Sequence, residues 1–398
     1  TKMSNKVNQL SGTFQILPDF LGSDQPRTYA LMAMTTSEER SSGGLIGSVG
    51  VVTTDNGKIS IGDFRSNGEY IPYGAGDPTG DEQRIFRQWG PLNMSFDIRD
   101  LAVYPDTSRS AEGMRAIWQR TPWGSNTQLD GVLMVDPVFL QELTKISGNV
   151  TIPDGTVLTG DNTAEFLLNK VYVDYPVSMQ DALFAQVAEQ TVGSMFSNVD
   201  LAKLTKVAQL MGSMAEGRHF SMYAFDETAE KTISDAGFTA QTPSSEEHPQ
   251  VGVYVTEQNP SKMGWYIHRT SKVTRSTCGN DGSQTYHVEY KMTNTLENSQ
   301  IGALTSYILG SGGQGVEKTL IYAPAGGSIS NLKTSGGSVT ESRQETMNGK
   351  TVYASNATIA PGESVTYSFD VTTSTKAVSD LTIDQTPMGW IDSGVTTD

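Results

Sequence analysis

The chain has 398 residues, room for two domains of about 100–200 residues, each large enough for its own core. Its 28 Lys+Arg against 44 Asp+Glu leave a formal net charge of −16. That charge argues against sequence-independent nucleic-acid binding and against seating on an anionic leaflet. The single cysteine, Cys278, excludes an intrachain disulfide and a cysteine-based metal site.

The longest apolar stretches, Tyr29–Met34 and the glycine-broken Leu45–Val52, fall well short of the roughly 18–20 apolar residues of a membrane span. Thr1-Lys2-Met3-Ser4 is not a signal peptide. Both ends read as interrupted, so the chain is expected to be the soluble part of something longer.

Ser37-Glu38-Glu39-Arg40-Ser41-Ser42-Gly43-Gly44 places an arginine and two glycines before an apolar strand. Such glycines allow close approach to a ligand, and arginine grips phosphate or carboxylate with two parallel bonds. An ordinary charged turn is the competing reading. Leu45–Thr53 and Lys58–Ile61 are strands joined by Asp55-Asn56-Gly57, a tight-hairpin signature. Asp97-Ile98-Arg99-Asp100 and Tyr104-Pro105-Asp106-Thr107-Ser108-Arg109 form a second mixed-charge cluster, just before a helix over Ser110–Arg120. They could hold a metal–phosphate group or be surface ion pairs of little energetic weight.

Gly131–Val135 reads as a buried strand, and Asp136-Pro137 as the cap and first residue of a helix over Val138–Ser147 that stops at Gly148. Asn149–Ile152 resumes as a strand, completing an expected β–α–β unit. Helices follow over Asn162–Tyr172, from Ser178 onward, from Asp200 to Gly217, and over Glu227–Ala236, with a strand at Arg218–Phe225. Thr242-Pro243-Ser244-Ser245-Glu246-Glu247 is a polar linker, after which helical periodicity vanishes. Strand-like runs at Gly252–Thr256, Gly264–Arg269, Thr285–Thr293, Ala303–Ile308, Lys318–Tyr322, Thr351–Ala354 and Ser364–Thr372 predict a β-sandwich. Gly310-Ser311-Gly312-Gly313-Gln314-Gly315 matches a dinucleotide pattern, but a strand follows it where a helix is needed, so a flexible loop is expected. His219, His248, His268 and His287 show no ligand spacing.

The order of motifs carries a family resemblance. Leu17-Pro18-Asp19-Phe20-Leu21-Gly22 precedes Pro26-Arg27-Thr28-Tyr29-Ala30-Leu31, then Glu39-Arg40, Gly43-Gly44-Leu45-Ile46-Gly47 and Asp55-Asn56-Gly57-Lys58. Arg99-Asp100, Pro105-Asp106, Asp130-Gly131-Val132-Leu133-Met134-Val135-Asp136-Pro137, Leu158-Thr159-Gly160-Asp161-Asn162-Thr163-Ala164 and Pro361-Gly362-Glu363-Ser364 complete the series. It resembles an uncharacterised family of actinobacterial envelope proteins classed as a domain of unknown function. More distantly, the α/β part is similar to the LytR–CpsA–Psr phosphotransferases, best over Leu129–Ile152. Those enzymes use Mg²⁺, arginines and aspartates to move glycopolymers from a polyprenyl-pyrophosphate carrier onto the cell wall.

The chain departs from that pattern. It has Ser42-Gly43-Gly44 where the enzymes have Arg-Ser-Asp, Ile61-Gly62-Asp63 where they have Ile-Pro-Arg-Asp, and Asn169-Lys170-Val171 where they have Arg-x-Arg. Losing one such donor costs roughly 3–4 kcal/mol of transition-state stabilisation. The resemblance implies an α/β fold with a helical lead-in (1–27), an α/β domain (28–240) and an all-β sandwich (250–398). It implies an extracytoplasmic, membrane-anchored protein that binds a lipid-linked pyrophosphoryl or cell-wall glycan and in one version transfers it. In that version Arg40, Arg99, Arg109 and Lys170 hold phosphates, Asp63 and Asp100 are catalytic, and Asp63 and Asp106 hold Mg²⁺. The competing expectation is a non-catalytic surface module for glycan or protein on a degenerate scaffold.

Overall fold

The structure, a computed structural model, describes residues 2–87 and 92–398, with side chains from residue 11 onward. The chain forms two compact units. The first takes in the chain up to Thr36, Ser42–Pro78 and Ser95–Ala240; the second takes in Ser37–Ser41, the described part of Thr79–Met94, and Gln241–Asp398. The last crossing falls at the polar linker. The two earlier segments of the second unit carry no compositional signal.

The first unit opens with helix α1 (Lys2–Phe20). Its sheet is built from β1 (Arg27–Arg40, of which 37–40 group with the second unit), β2 (Gly43–Asp55), β3 (Lys58–Ile61), β4 (Gly131–Val135) and β5 (Phe220–Ala224). Their order is β3-β2-β1-β4-β5. β1 and β4 run parallel, with Tyr29 opposite Gly131 and Ala33 opposite Val135; β5 lies antiparallel to β4. Every residue of β4 is buried, which is why it reads as an unbroken apolar run.

Local signals act as their chemistry requires. Asn56 and Gly57 both take positive φ (48° and 85°) between Asp55 and its partner Lys58. Helix α2 (Thr107–Trp118) begins inside the mixed-charge cluster and takes up Thr107, Ser108 and Arg109, ahead of the expected start at Ser110. Helix α3 (Pro137–Ser147) is capped by Asp136, whose Oδ1 accepts from Phe139 N at 2.9 Å. Helix α4 (Val177–Met195) is followed by α5 (Leu201–Glu216), where Asp200 accepts from Lys203 N at 2.7 Å, and by α6 (Glu227–Asp235).

The expected β–α–β unit does not close. Val150–Thr151 pairs only with Val157–Leu158, in a separate two-stranded sheet. The Pro153-Asp154-Gly155 turn, with Gly155 at φ 91°, folds that strand back on itself before it can join β4.

The second unit consists of β6 (Gln250–Glu257), β7 (Ile267–Cys278), β8 (Gln284–Asn294), β9 (Gly315–Tyr322), β10 (Ser328–Ser335), β11 (Lys350–Ile359), β12 (Ser364–Thr372), β13 (Thr382–Gln385) and β14 (Val395–Thr397), with short pieces pairing β11. One sheet runs β10-β12-β8-β7-β14, and the other carries β11-β9-β6-β13. Both contribute to one core: Val251, Val253 and Val255 from β6 meet Val288, Tyr290, Met292, Val365, Tyr367 and Phe369. Inward and outward positions alternate along β7 and β12, as a two-sided pleat demands.

The expected strand at Ala303–Ile308 is instead a helical turn, Ser306–Leu309. Ile308 and its neighbour Leu309 are both buried, which the period of two in a half-buried strand forbids. The strand expected from Gly264 begins at Ile267, after a 3₁₀ turn over Met263–Trp265. The glycine loop at 310–315 uses positive φ at Gly310, Gly312 and Gly313 and enters β9 directly. Among the described residues no helix is long and apolar enough to cross a membrane, and Cys278 is free and exposed.

Candidate functional site

Helical spacing in the first unit builds an apolar wall. α1 presents Thr13, Ile16, Leu17 and Phe20, and α5 presents Leu204, Val207, Ala208 and Met211. Each set recurs at intervals of three and four, and so lies on one helix face. Leu31 from β1, Leu133 and Val135 from β4, and Phe220 and Met222 from β5 form the opposite wall; Phe139 of α3 and Val192, Met195 and Phe196 close the rest. Between them lies a cavity of about 60 Å³. A space walled by carbon and offering water no partners stays dry, and at this size it has room for a few carbon atoms.

A polar recess of about 310 Å³ lies on the same strands, lined by Asp19, Gln25, Arg27, Tyr29, Arg115, Gln128, Asp130, Phe225 and Asp226. The Phe20 and Tyr29 rings stand 4.8 Å apart, so one ring pair links the wall of the cavity to that of the recess. Arg27 is ion-paired to Asp19 at 2.7 Å and Asp24 at 3.2 Å, and lies 3.8 Å from Asp130. Asp130 accepts from Thr28 N at 2.8 Å. Arg115 stacks over Phe225 at 4.1 Å. Burial raises the Asp19 carboxyl above its usual range against the pull of Arg27, and burial also pushes up the Tyr29 phenol.

The residues expected to handle phosphate stand elsewhere. Arg40 ends β1 within the second unit, is 2 % exposed, donates to the Glu39 carbonyl at 2.9 Å and lies 3.5 Å from the Glu38 carboxylate. Arg99 belongs to a 3₁₀ turn over Ile98–Val103 and grips Asp97 with Nε and Nη2 at 3.1 and 2.7 Å. Arg109, on α2, is paired with Glu112, donates to the Asp77 carbonyl at 3.1 Å and lies over the Tyr104 ring. Lys170 is exposed, 4.0 Å from Glu165, at the end of a π-helical segment over Phe166–Lys170.

Of the expected acids, Asp63 is exposed in the loop after β3. Asp100 is buried and accepts from both the backbone N and the Oγ of Ser95, at 2.9 and 2.6 Å, so its carboxylate fastens a turn. Asp106 sits half-buried at the N-cap position of α2 without a side-chain cap bond. Asp63 and Asp106 belong to no group of three metal-ligating side chains among the described residues; the one such group is Glu39, Glu257 and Glu317 in the second unit.

Reading the sequence missed the cavity, although the apolar sets of α4 and α5 were visible in it, because spacing does not show where packing leaves a gap. It also missed the buried pair of His219 Nδ1 and Asp136 Oδ2, 2.5 Å apart, which joins the start of α3 to the residue before β5.

Residues 24–172 match the model of a family described as "Protein of unknown function (DUF4012)". No curated protein matches the chain. Among solved structures, the chain is similar to a Streptococcus agalactiae protein at 12 % identity, covering 55 % of this chain and 83 % of that one, with a TM-score of 0.31. It is also similar to a Legionella pneumophila protein named as a candidate nutrient-binding protein, at 10 % identity, covering 32 % of this chain and 43 % of that one, with a TM-score of 0.20. The chain thus spans less than half the length of the Legionella protein.

Proposed function

We propose that the first unit binds a lipid-linked glycan at the outer face of a cell envelope, with the first few carbons of the apolar chain in the cavity and the polar head in the adjoining recess. The observation that carries this reading is the juxtaposition of a carbon-walled cavity and a polar recess across the Phe20–Tyr29 ring pair. An amphiphile needs both surfaces side by side. The distant resemblance of Leu129–Ile152 to LytR–CpsA–Psr phosphotransferases points to the same class of ligand.

The recess sets Asp19, Asp130 and Asp226 against Arg27 and Arg115. That mixture donates to and accepts from sugar hydroxyls. The proposal is therefore confined to binding. Arg40, Arg99 and Arg109 each already have a carboxylate partner, in Glu38, Asp97 and Glu112. Phosphoryl transfer relies on cations held ready for the developing charge.

Calorimetric titration with a short-chain polyprenyl-pyrophosphate sugar, with and without Mg²⁺, tests the reading. Binding independent of Mg²⁺ is expected. Ala208→Leu, which fills the cavity from α5, should weaken it at least tenfold while leaving the circular dichroism unchanged. Unaltered affinity in that folded variant refutes the cavity as the seat of the chain. Binding that requires Mg²⁺ would favour the transferring version.

A further inference from the structure

The second unit contains charge where a core should be apolar. β6 sends Val251, Val253 and Val255 inward, and the next inward position is Glu257. Glu257 stands directly opposite Glu317 of β9 in the antiparallel register. Like charges facing across a strand pair are destabilising, and here both are fully buried. Glu39, from the segment 37–41 of the same unit, joins them at 2 % exposure. One carboxylate oxygen of each glutamate lies within 4.8 Å of those of the other two.

The cluster is under-compensated. The cations acting on Glu39 are Arg269 of β7, 1 % exposed, with Nη2 3.4 Å away, and Arg40, which is itself paired with Glu38. Arg269 is also committed elsewhere: Nη1 donates to the Tyr290 hydroxyl and the Thr386 carbonyl, and Nη2 to the Pro387 carbonyl. Glu257 Oε1 accepts from the backbone N of Asn259 and of Val316. No donor from outside the cluster reaches Glu257 Oε2, Glu39 Oε1 or either oxygen of Glu317; without a cation these oxygens meet one another, Glu317 lying between Glu39 and Glu257. Glu317 is thus a wholly buried carboxylate turned into the cluster, with no partner for either oxygen outside it. Burying such a group costs far more than an apolar side chain of equal size.

We propose that Glu39, Glu257 and Glu317 form a binding site for a divalent cation of the calcium class. Three carboxylates set against Arg269, with Arg40 paired to Glu38, leave a negative surplus that a divalent ion offsets. The donors are all oxygen, the choice of hard cations, and each glutamate offers one oxygen to a common point, a start on the six to eight contacts that Ca²⁺ takes. Mg²⁺ parts reluctantly with its waters and suits a fully buried site less well. Protons are the competing occupants: burial and mutual repulsion raise all three carboxyls, Glu257 to about 8. Cation binding therefore displaces protons and strengthens as the pH rises. The site is independent of the glycan-binding reading of the first unit.

The test is titration of chelator-treated full chain with CaCl₂, and separately with MgCl₂, at pH 6 and pH 8, with the unfolding midpoint as a second readout. The expected result is one Ca²⁺ per chain, at least tenfold tighter at pH 8 than at pH 6 and at least tenfold tighter than Mg²⁺, together with a Ca²⁺-dependent rise in the midpoint. Glu317→Gln, nearly isosteric and free of one buried charge, should fold, keep or raise the cation-free midpoint, and lose the Ca²⁺-dependent rise. Absence of stoichiometric Ca²⁺ binding at pH 8, or a Ca²⁺ response that survives in Glu317→Gln, overturns the proposal. In the first case protons are the cluster's occupants.

Discussion

Replacing Glu257 by Gln keeps the shape of the side chain and leaves an amide oxygen for the backbone donors of Asn259 and Val316. What it removes is a titration. With chelator present, burial holds the Glu257 carboxyl protonated up to about pH 8, whereas in the unfolded chain it ionises near 4.5. Between those values the native state binds more protons than the unfolded state, so stability falls as the pH rises. The gap from 4.5 to about 8, at roughly 1.4 kcal/mol for each pH unit, comes to about 5 kcal/mol. This is a ceiling, because the three glutamates share their protons and a loss at one is partly taken up by the others. Glu257→Gln should thus be more stable than wild type by several kcal/mol at pH 8. At pH 4.5 the two should nearly coincide. Urea unfolding followed by tryptophan fluorescence at pH 4.5, 6 and 8 measures this, and the difference between the two proteins cancels the titrating groups outside the cluster. A gap that stays constant with pH, or that widens toward acid, refutes the assignment of a buried, protonated glutamate.

Gly44→Ala should destabilise the first unit severely, because a Cβ there would sit 1.8 Å from the Thr35 carbonyl oxygen in the neighbouring strand; an unchanged melting midpoint would show that β1 and β2 do not approach so closely. Asp136→Ala removes the cap on Phe139 N and strands His219 in the core. The lost cap and the orphaned ring together should cost about 2–4 kcal/mol in denaturant unfolding, and a loss below about 1 kcal/mol would mean that the pair is not satisfied as described.

Legibility followed range along the chain. The Asn56-Gly57 turn, the Asp136 and Asp200 caps and the helix stop at Gly148 each rest on residues within a few positions of one another, and each was readable. The readings that failed concern partners. Val150–Thr151 has the character of a strand, but a turn only three residues away gave it a nearer partner than β4. Ile308 and Leu309 look like strand residues until both are seen to be buried side by side.

The candidate sites divide in the same way. Arg40, Arg99 and Arg109 stood out as cations beside acids, yet spacing did not show that each is held by a carboxylate within three residues of it. The apolar faces of α1 and α5 follow from helical period, but the gap between them exists only because the facing side chains of β4 and β5 do not fill it. What the amino-acid sequence by itself determined was the identity of most helices and strands, their caps and turns, and the change from a helical half to a β-rich one, since these depend on contacts between near neighbours. The tertiary structure alone decided that Glu39, Glu257 and Glu317 meet. Strand register set Glu257 opposite Glu317, and the unit to which residues 37–41 belong brought Glu39 beside them. No local pattern encodes a meeting of residues so far apart in the chain, because it is the packing of the whole unit that removes them from water together.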